Sequence, residues 1–201
     1  MDVGGGGKGF HVAVVDCLGL IALERLREPA AVAAWLRDGV DGGPPVLVAV
    51  DSPREAAEPG ELSRADERLF ARARICGIRF TPDRATIDAP RANGDDFYGW
   101  IRNGFALYAA LEEAGLPAVE CFPTASWTQW GGPRAGRRRA VWSQQVLDGL
   151  GVAGLPARRL SQDDRDAVAA ALTARAHAGP PGKGTESFGA IVVPRGGKGR
   201  S

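Results

Sequence analysis

The sequence is poor in residues that form covalent or metal cross-links. Its 201 residues include three cysteines and two histidines, with no Cys-x-x-Cys pair. Disulfide frameworks and zinc sites need more of these residues at closer spacing, so both are excluded. The sequence also lacks an apolar run of membrane-spanning length, about 18 residues, and its first residues lack the apolar segment of a signal peptide. We therefore expect a cytoplasmic protein with no membrane partner.

An excess of charge of either sign is missing as well. Lys and Arg number 25 against 24 Asp and Glu, a formal net charge of +1. This balance excludes a globally basic surface, so any contact with nucleic acid must come from a local patch. Hydrophobic residues make up 44% of the chain, which is ample for the core of one domain. We predict a single domain over residues 1–194 and a flexible basic tail over 195–201.

The pattern of apolar residues predicts strands and helices in alternation. Two β-favouring runs over 10–15 and 19–26 predict a hairpin, and the apolar run over 46–50 predicts a buried strand. A hairpin followed by strands that are joined through helices is typical of an α/β fold. Further strands are predicted over 118–122 and 190–193, and loops over 79–94 and 127–140. Helices are predicted over 28–39, 61–75, 95–114, 140–150 and 161–178, and Ser63 is the predicted cap of the second.

Acidic residues lie where the predicted strands end or begin. Asp51 closes VLVAVD, Glu120 lies in AVECF, and Asp2 precedes the first glycine-rich segment. In open α/β sheets ligands bind outside the carboxyl ends of the strands, so these carboxylates are candidate site residues. An ordinary Asp-Ser-Pro turn is the alternative explanation for Asp51.

Three acids, Asp163, Asp164 and Asp166, stand at the start of the last predicted helix. Acids favour a helix N-terminus on electrostatic grounds alone, which is the simpler explanation. However, Asp163 and Asp166 share one helix face, and the Ala-rich continuation predicts that this helix packs against the sheet. Its first turn would then lie near the strand ends. Carboxylates that converge in this way need a divalent cation, and oxygen ligands favour Mg²⁺ or Mn²⁺.

The glycine-rich segment over residues 4–9, GGGGKG, resembles a phosphate loop but departs from its pattern. Gly9 takes the Ser/Thr position, and no full strand precedes the segment. We predict a turn between two strands, with contact between Lys8 and a phosphate as a secondary role. His11 lies in an apolar strand, where a structural role is expected.

A local basic patch stands among tryptophans near the middle of the chain. Basic and aromatic side chains together can hold a nucleic-acid backbone and stack on its bases. A solvated charged loop is the alternative. The residues are Arg134, Arg137, Arg138 and Arg139, with Trp127, Trp130 and Trp142 on either side.

Seven segments together resemble the bacterial and archaeal family of predicted nucleases known as domain of unknown function four-twenty-nine. The resemblance implies a ribonuclease-H-like fold, with a central mixed five-stranded sheet whose first three strands are antiparallel and with helices on both faces. The matching segments cover most of the chain in order: DVGGGGKGFHVAVVD, VAVDSP, SRADERLFARARICGIRFTP, YGWIRNGFALYAALEEAG, VECFPTASW, DDRDAVAAALTARA and ESFGAIVVP.

The resemblance also implies a site, by analogy with Holliday-junction resolvases. Two Mg²⁺ or Mn²⁺ ions would support phosphodiester hydrolysis of a nucleic-acid substrate. The implied ligands are Asp2, Asp51, Asp163 and Asp166, with Glu120 as a supporting catalytic carboxylate. Arg64 and Lys8 would contact a phosphate or brace a carboxylate, and Arg137, Arg138 and Trp127 are the remaining candidate substrate contacts.

The predicted function is therefore that of a metal-dependent nuclease. Two alternatives stay open at this point. One is an actin-like nucleotide phosphohydrolase or phosphotransferase, and the other is a nucleic-acid-binding module whose acidic residues are not catalytic. The oligomeric state is also open, with a homodimer as one alternative.

Overall fold

Seven strands and seven helices, in an α/β arrangement, make up the part of the chain that the computed structural model describes, residues 1–5, 7–90, 96–180 and 183–196. The strands are β1 (Asp2–Val3), β2 (Phe10–Val15), β3 (Leu20–Leu26), β4 (Val48–Val50), β5 (Ala118–Cys121), β6 (Thr185–Phe188) and β7 (Ile191–Pro194). The helices are α1 (Pro29–Asp38), α2 (Ala65–Arg72), α3 (Arg84–Asp88), α4 (Gly99–Glu113), α5 (Pro123–Gly131), α6 (Arg139–Leu150) and α7 (Gln162–Ala178).

The first three strands form an antiparallel sheet in the order β1-β2-β3. Asp2 pairs with His11, and the predicted hairpin is present with Phe10 opposite Leu26. The glycine-rich segment is a turn between β1 and β2, as predicted, closed by a 2.9 Å hydrogen bond from the Gly4 N–H to the Gly9 carbonyl. Gly9 has a φ of +72°, and a Cβ there would lie 2.4 Å from the Leu26 carbonyl, so the turn requires glycine.

The remaining strands form a second, mixed sheet in the order β4-β5-β7-β6. The prediction of one five-stranded sheet is therefore wrong. Among the described residues, the two sheets meet at one bridge between Asp2 and Asp51, where the Asp51 N–H donates to the Met1 carbonyl and the Met1 amino group donates to the Ala49 carbonyl, both over 2.8 Å. β1 spans only two residues, and within this part of the chain no longer ladder joins the sheets. The second sheet also gains β6, an antiparallel partner of β7 that the sequence pattern did not predict.

Helices cover both faces of the first sheet, because successive side chains of β2 point in opposite directions. Val12 and Val14 share a core cluster with residues of α1 and α4. Ala13, between them, packs in a second cluster with residues of α5, α6 and α7. Among the described residues, no helix is both long and apolar enough to span a bilayer.

Helix α7 is the central element of the fold. The Ser161 hydroxyl accepts a hydrogen bond from the Asp164 N–H, and the Asp164 carboxylate accepts one from the Ser161 N–H, both over 3.0 Å. This capping box begins the helix where the sequence predicted. Every residue from 164 to 174 is buried, and α7 contacts all seven strands. The alanines of this stretch allow such close packing on several sides.

Other helix boundaries differ from the prediction. Helix α2 is capped at Arg64 rather than Ser63, because the Arg64 N–H is held by the Glu67 carboxylate over 3.0 Å. Helix α3 lies in a segment predicted as a loop, and the second half of α5 overlaps the segment 127–140, where no helix was predicted before residue 140. Pro123 begins α5 at a position that proline favours. In the predicted tail, the Arg195 N–H donates to the Gly184 carbonyl over 3.0 Å. Residues 197–201 and the predicted start of a helix at 95 lie outside the described residues.

Candidate functional site

Three carboxylates from distant parts of the chain share one site, here called the carboxylate cluster: Asp2, Asp51 and Asp166. The bridge between β1 and the end of β4 brings the first two together, and the first turns of α7 supply the third. Burial, followed by the negative charges of Asp166 and Asp163, raises the pKa of Asp2 to about 7. Burial also raises the pKa of Asp51, and the charges of Asp2 and Asp166 add to this effect. The surroundings of Asp2 and Asp51 thus disfavour the ionised carboxylates, although the charges of the N-terminus and Arg139 oppose this effect.

Asp166 is the member of the carboxylate cluster with the most side-chain hydrogen bonds among the described residues. Its Oδ1 accepts hydrogen bonds from Trp127 Nε1 (2.8 Å) and Gln162 Nε2 (3.0 Å), and its Oδ2 accepts one from Arg139 (2.8 Å). Burial raises its pKa, and the Arg139 charge opposes that rise. Trp127 has 0% of its surface exposed, so its ring cannot stack on a base. It positions Asp166 instead of contacting substrate, which corrects the predicted role.

The other two acids of the α7 start behave differently. The Asp163 side chain is 38% exposed, and its Oδ2 lies 3.9 Å from His11 Nε2. Its charge contributes to the raised pKa of both Asp2 and Asp166. Asp164 Oδ1 accepts a 2.9 Å hydrogen bond from His11 Nδ1, and Asp164 Oδ2 accepts a 2.7 Å bond from Arg158. Burial would raise the pKa of Asp164, but these bonds hold it below its usual range. His11 thus stands at the edge of the cluster.

Glu120 does not belong to the carboxylate cluster but to a second group, here called the Arg64 network: Arg64, Glu67 and Glu120. Arg64 donates to the two oxygens of Glu120 over 2.8 and 2.5 Å and to Glu67 over 3.2 Å. Burial raises the pKa of Glu120, and the Arg64 guanidinium opposes that rise. The Arg64 side chain is only 3% exposed. Arg64 therefore braces carboxylates, one of its two predicted roles, and Glu120 has its counter-charge already.

The remaining predicted substrate contacts are exposed. Lys8 lies in the β1–β2 turn, and Arg138 is the residue before α6. The Arg137 guanidinium folds back on its own loop, where it donates to the carbonyls of Arg134 (2.9 Å) and Pro133 (2.8 Å). None of these three side chains bonds to a member of the carboxylate cluster within the described part of the chain.

Sequence reasoning missed three residues that surround the cluster: Arg139, Gln162 and His11. Arg139 was predicted only as part of a basic patch, although among the described arginines of that patch it is the one that bonds to Asp166. Gln162 could have been found from its position four residues before Asp166, because this spacing places both residues on one helix face. His11 could have been found only from the strand register, in which it stands opposite Asp2.

A cleft of about 410 Å³ opens beside the carboxylate cluster. Asp51, Glu120 and Arg139 line it, together with Arg79 and Trp100. A solute in this cleft would meet the Asp51 carboxylate and the Arg139 guanidinium from the same side. Asp51 is thus the member of the carboxylate cluster that lines the cleft, whereas Asp166 is 2% exposed and the Arg64 side chain 3% exposed.

The cluster fits a divalent cation in the type and charge of its ligands. Carboxylate oxygens are the ligands that Mg²⁺ and Mn²⁺ prefer. No side-chain hydrogen bond of the described residues occupies Asp2 or Asp51, whereas both oxygens of Asp166 are occupied. Among these residues no group of three His, Cys, Asp or Glu side chains is placed to hold a metal ion. Asp2 and Asp51 are therefore the pair that would bind an ion, without a preformed cage of three ligands.

Comparisons of the chain with protein-family models, with curated proteins and with solved structures find no match. The resemblance to a family of predicted nucleases therefore stays a prediction. Any functional conclusion rests on the chain's own residues.

Proposed function

We propose that this protein is a nuclease that depends on a divalent cation and hydrolyses phosphodiester bonds at the carboxylate cluster. The observation that carries the proposal is the convergence of Asp2, Asp51 and Asp166 beside an open cleft. Unbalanced carboxylates of this kind destabilise a fold, and clusters of perturbed acids are concentrated at functional sites. The motif resemblance to predicted nucleases supports the same reaction class.

Each residue of the site has a role in this proposal. Asp2 and Asp51 bind the cation, which supplies an activated water and stabilises the leaving oxygen. Arg139 lies between Asp166 and the cleft and contacts a phosphate oxygen of the substrate. Asp166, fixed by Trp127 and Gln162, holds the Arg139 guanidinium at that position.

The test is a cleavage assay with purified protein in Mn²⁺ or EDTA, on single-stranded, duplex, hybrid and branched nucleic acids. We expect cleavage in Mn²⁺ only. Asp51→Asn should lower the rate by more than about 100-fold, since loss of a metal ligand exceeds the 10–100-fold effect of losing an outer partner. Asp88→Asn, which removes a carboxylate of an exposed ion pair with Arg84, is the matched control and should keep the wild-type rate. No cleavage of any substrate, or full activity of Asp51→Asn, would refute the proposal.

One observation favours a second candidate, a nucleic-acid-binding module without catalysis. Arg139 already neutralises part of the cluster by its ion pair with Asp166, which reduces the need for a cation. Under this alternative, nucleic acid binds equally well in EDTA and in Mn²⁺, and no product appears. Binding in both conditions together with cleavage in Mn²⁺ would favour the nuclease.

A further inference from the structure

A second cleft, of about 520 Å³, lies between α6, the segment over residues 151–160 and the start of α7. Three arginines line it, Arg158, Arg159 and Arg165, against one carboxylate, Asp148. Asp148 is turned to its own helix, where its Oδ1 accepts a 2.8 Å hydrogen bond from Gln144. The lining therefore has a positive excess, in a protein whose total charge is nearly balanced.

Arg165 is the unusual member of this cleft because it is buried without a carboxylate partner. Its surface is 3% exposed. Its guanidinium donates to Ser143 Oγ (2.9 Å), the Leu160 carbonyl (2.6 Å), Gln162 Oε1 (3.1 Å) and Gln144 Oε1 (3.4 Å). All four acceptors are neutral, and no ion pair of Arg165 exists among the described residues. Hydrogen bonds thus fix this cation in place, and the carboxylates of Asp166 and Asp164 act on its charge without an ion pair among the described residues.

Other arginines lie close enough to Arg165 to change the pKa of its guanidinium. Burial lowers the pKa of Arg165, the Asp166 charge opposes this, and the charges of Arg159 and Arg139 lower it further. Arg158 is partly neutralised by its 2.7 Å ion pair with Asp164. Arg159 is exposed, and its guanidinium makes neither a hydrogen bond nor an ion pair with the described part of the molecule. An anion in the cleft would relieve the repulsion among these cations.

We propose that this cleft binds a phosphate group of a nucleic-acid backbone, with Arg159 as the direct contact and Arg165 as a fixed positive charge behind it. The choice of a nucleic acid rests on the proposed function. Arg165 and Asp166 are successive residues of α7, so the cleft and the carboxylate cluster lie at the same end of this helix. Arg138 and Arg139, at the start of α6, extend the basic surface between the two clefts.

The test measures binding without cleavage. A fluorescein-labelled single-stranded oligonucleotide is titrated in EDTA at several salt concentrations, and its anisotropy gives the affinity of wild type, Arg159→Ala and Arg159→Glu. For Arg159→Ala we expect weaker binding and a salt slope smaller by about 0.7, the value for one phosphate contact on a single strand. Arg159→Glu should bind more weakly still. Arg37→Ala, an exposed arginine of α1 with an ion pair to Asp38, is the control and should bind like wild type.

The outcomes separate this proposal from the proposed function. Arg159-dependent binding by a protein that cleaves nothing would support the cleft and refute the nuclease. Cleavage with wild-type binding of Arg159→Glu would overturn the cleft and leave the nuclease intact. A parallel titration with inorganic phosphate, followed by thermal unfolding, distinguishes a small anion from a backbone. Stabilisation by inorganic phosphate that requires Arg159, without oligonucleotide binding, would also overturn the proposal.

Discussion

The carboxylate cluster and the Arg64 network differ in how they accommodate buried negative charge, although Asp51 and Glu120 stand at the ends of the neighbouring strands β4 and β5. In the network, one guanidinium with 3% exposure faces Glu67 and Glu120 at hydrogen-bonding distance. In the cluster, Asp2 and Asp51 face each other and Asp166, and the only arginine that bonds to the cluster among the described residues, Arg139, is 44% exposed. A paired charge holds the fold together, whereas an unpaired one attracts a ligand. We therefore expect Glu120 to contribute to the stability of the fold and Asp51 to contribute to the proposed site.

The largest expected effect comes from removing the counter-charge of the Arg64 network. Arg64→Met leaves Glu67 and Glu120 buried without a cation, and breaking such a pair costs about 3–5 kcal/mol of unfolding free energy. Arg139→Met should cost less than half as much, because Asp166 keeps its hydrogen bonds from Trp127 and Gln162. Urea denaturation of both variants at pH 7 measures the difference. Equal losses of unfolding free energy in the two variants would show that the carboxylates of both groups depend equally on their arginine, which would contradict the comparison.

A divalent cation should stabilise the protein through the carboxylate cluster alone. At an Mn²⁺ concentration 100 times its dissociation constant, the expected gain is about 2.7 kcal/mol, seen as a higher melting temperature. Glu120→Gln should lower stability in EDTA but keep the Mn²⁺ increment. Asp51→Asn should be at least as stable as wild type in EDTA, since it relieves repulsion, and should lose the increment. The reverse pattern in these two matched variants would contradict the comparison.

The smallest expected effect concerns pH. Asp2 has a pKa of about 7 in the folded protein, against about 3.9 for an unperturbed Asp in the unfolded chain. Between these values the folded state binds more protons, so the contribution of Asp2 to stability increases as the pH falls from about 7 towards 4. Asp2→Asn removes this contribution. In EDTA, the stability of wild type relative to Asp2→Asn should therefore rise as the pH falls from 8 to 5. Thermal unfolding over that range measures it, and a constant difference would be the contrary result.

The parts of the fold that follow local patterns could be predicted from sequence. The β2–β3 hairpin, helices α1 and α7 and the buried strand β4 each have a clear periodicity or cap. Helix α5 and strand β6 do not, since α5 begins at a proline within a Trp/Gly-rich segment and β6 is stabilised by pairing with β7. The break into two sheets depends on the length of β1, which the apolar pattern does not determine.

For the site residues too, the sequence predicts what depends on local patterns but not the pairings between residues far apart in the chain. Acids at strand ends and at the start of α7, together with the resemblance, predicted a site of Asp2, Asp51, Asp163 and Asp166 with Glu120 in support. The structure groups Asp2, Asp51 and Asp166 and pairs Glu120 with Arg64. Asp51 and Glu120, however, look alike in sequence, since both lie at strand ends. What separates them is Arg64, 56 residues before Glu120 in the chain. Arg139 likewise lies 27 residues from Asp166, and such pairings follow from the tertiary structure alone.

The position of α7 in the chain has a consequence for synthesis. This helix contacts all seven strands, but its residues, Gln162–Ala178, come after most of the chain has been made. Until they leave the ribosome, the face of β2 that packs against α7 lacks this helix, and both sheets lack the contacts that α7 makes with them. The nascent chain therefore cannot complete its core from the N-terminus onward, and folding waits for contacts between residues far apart in sequence, which are slow to form.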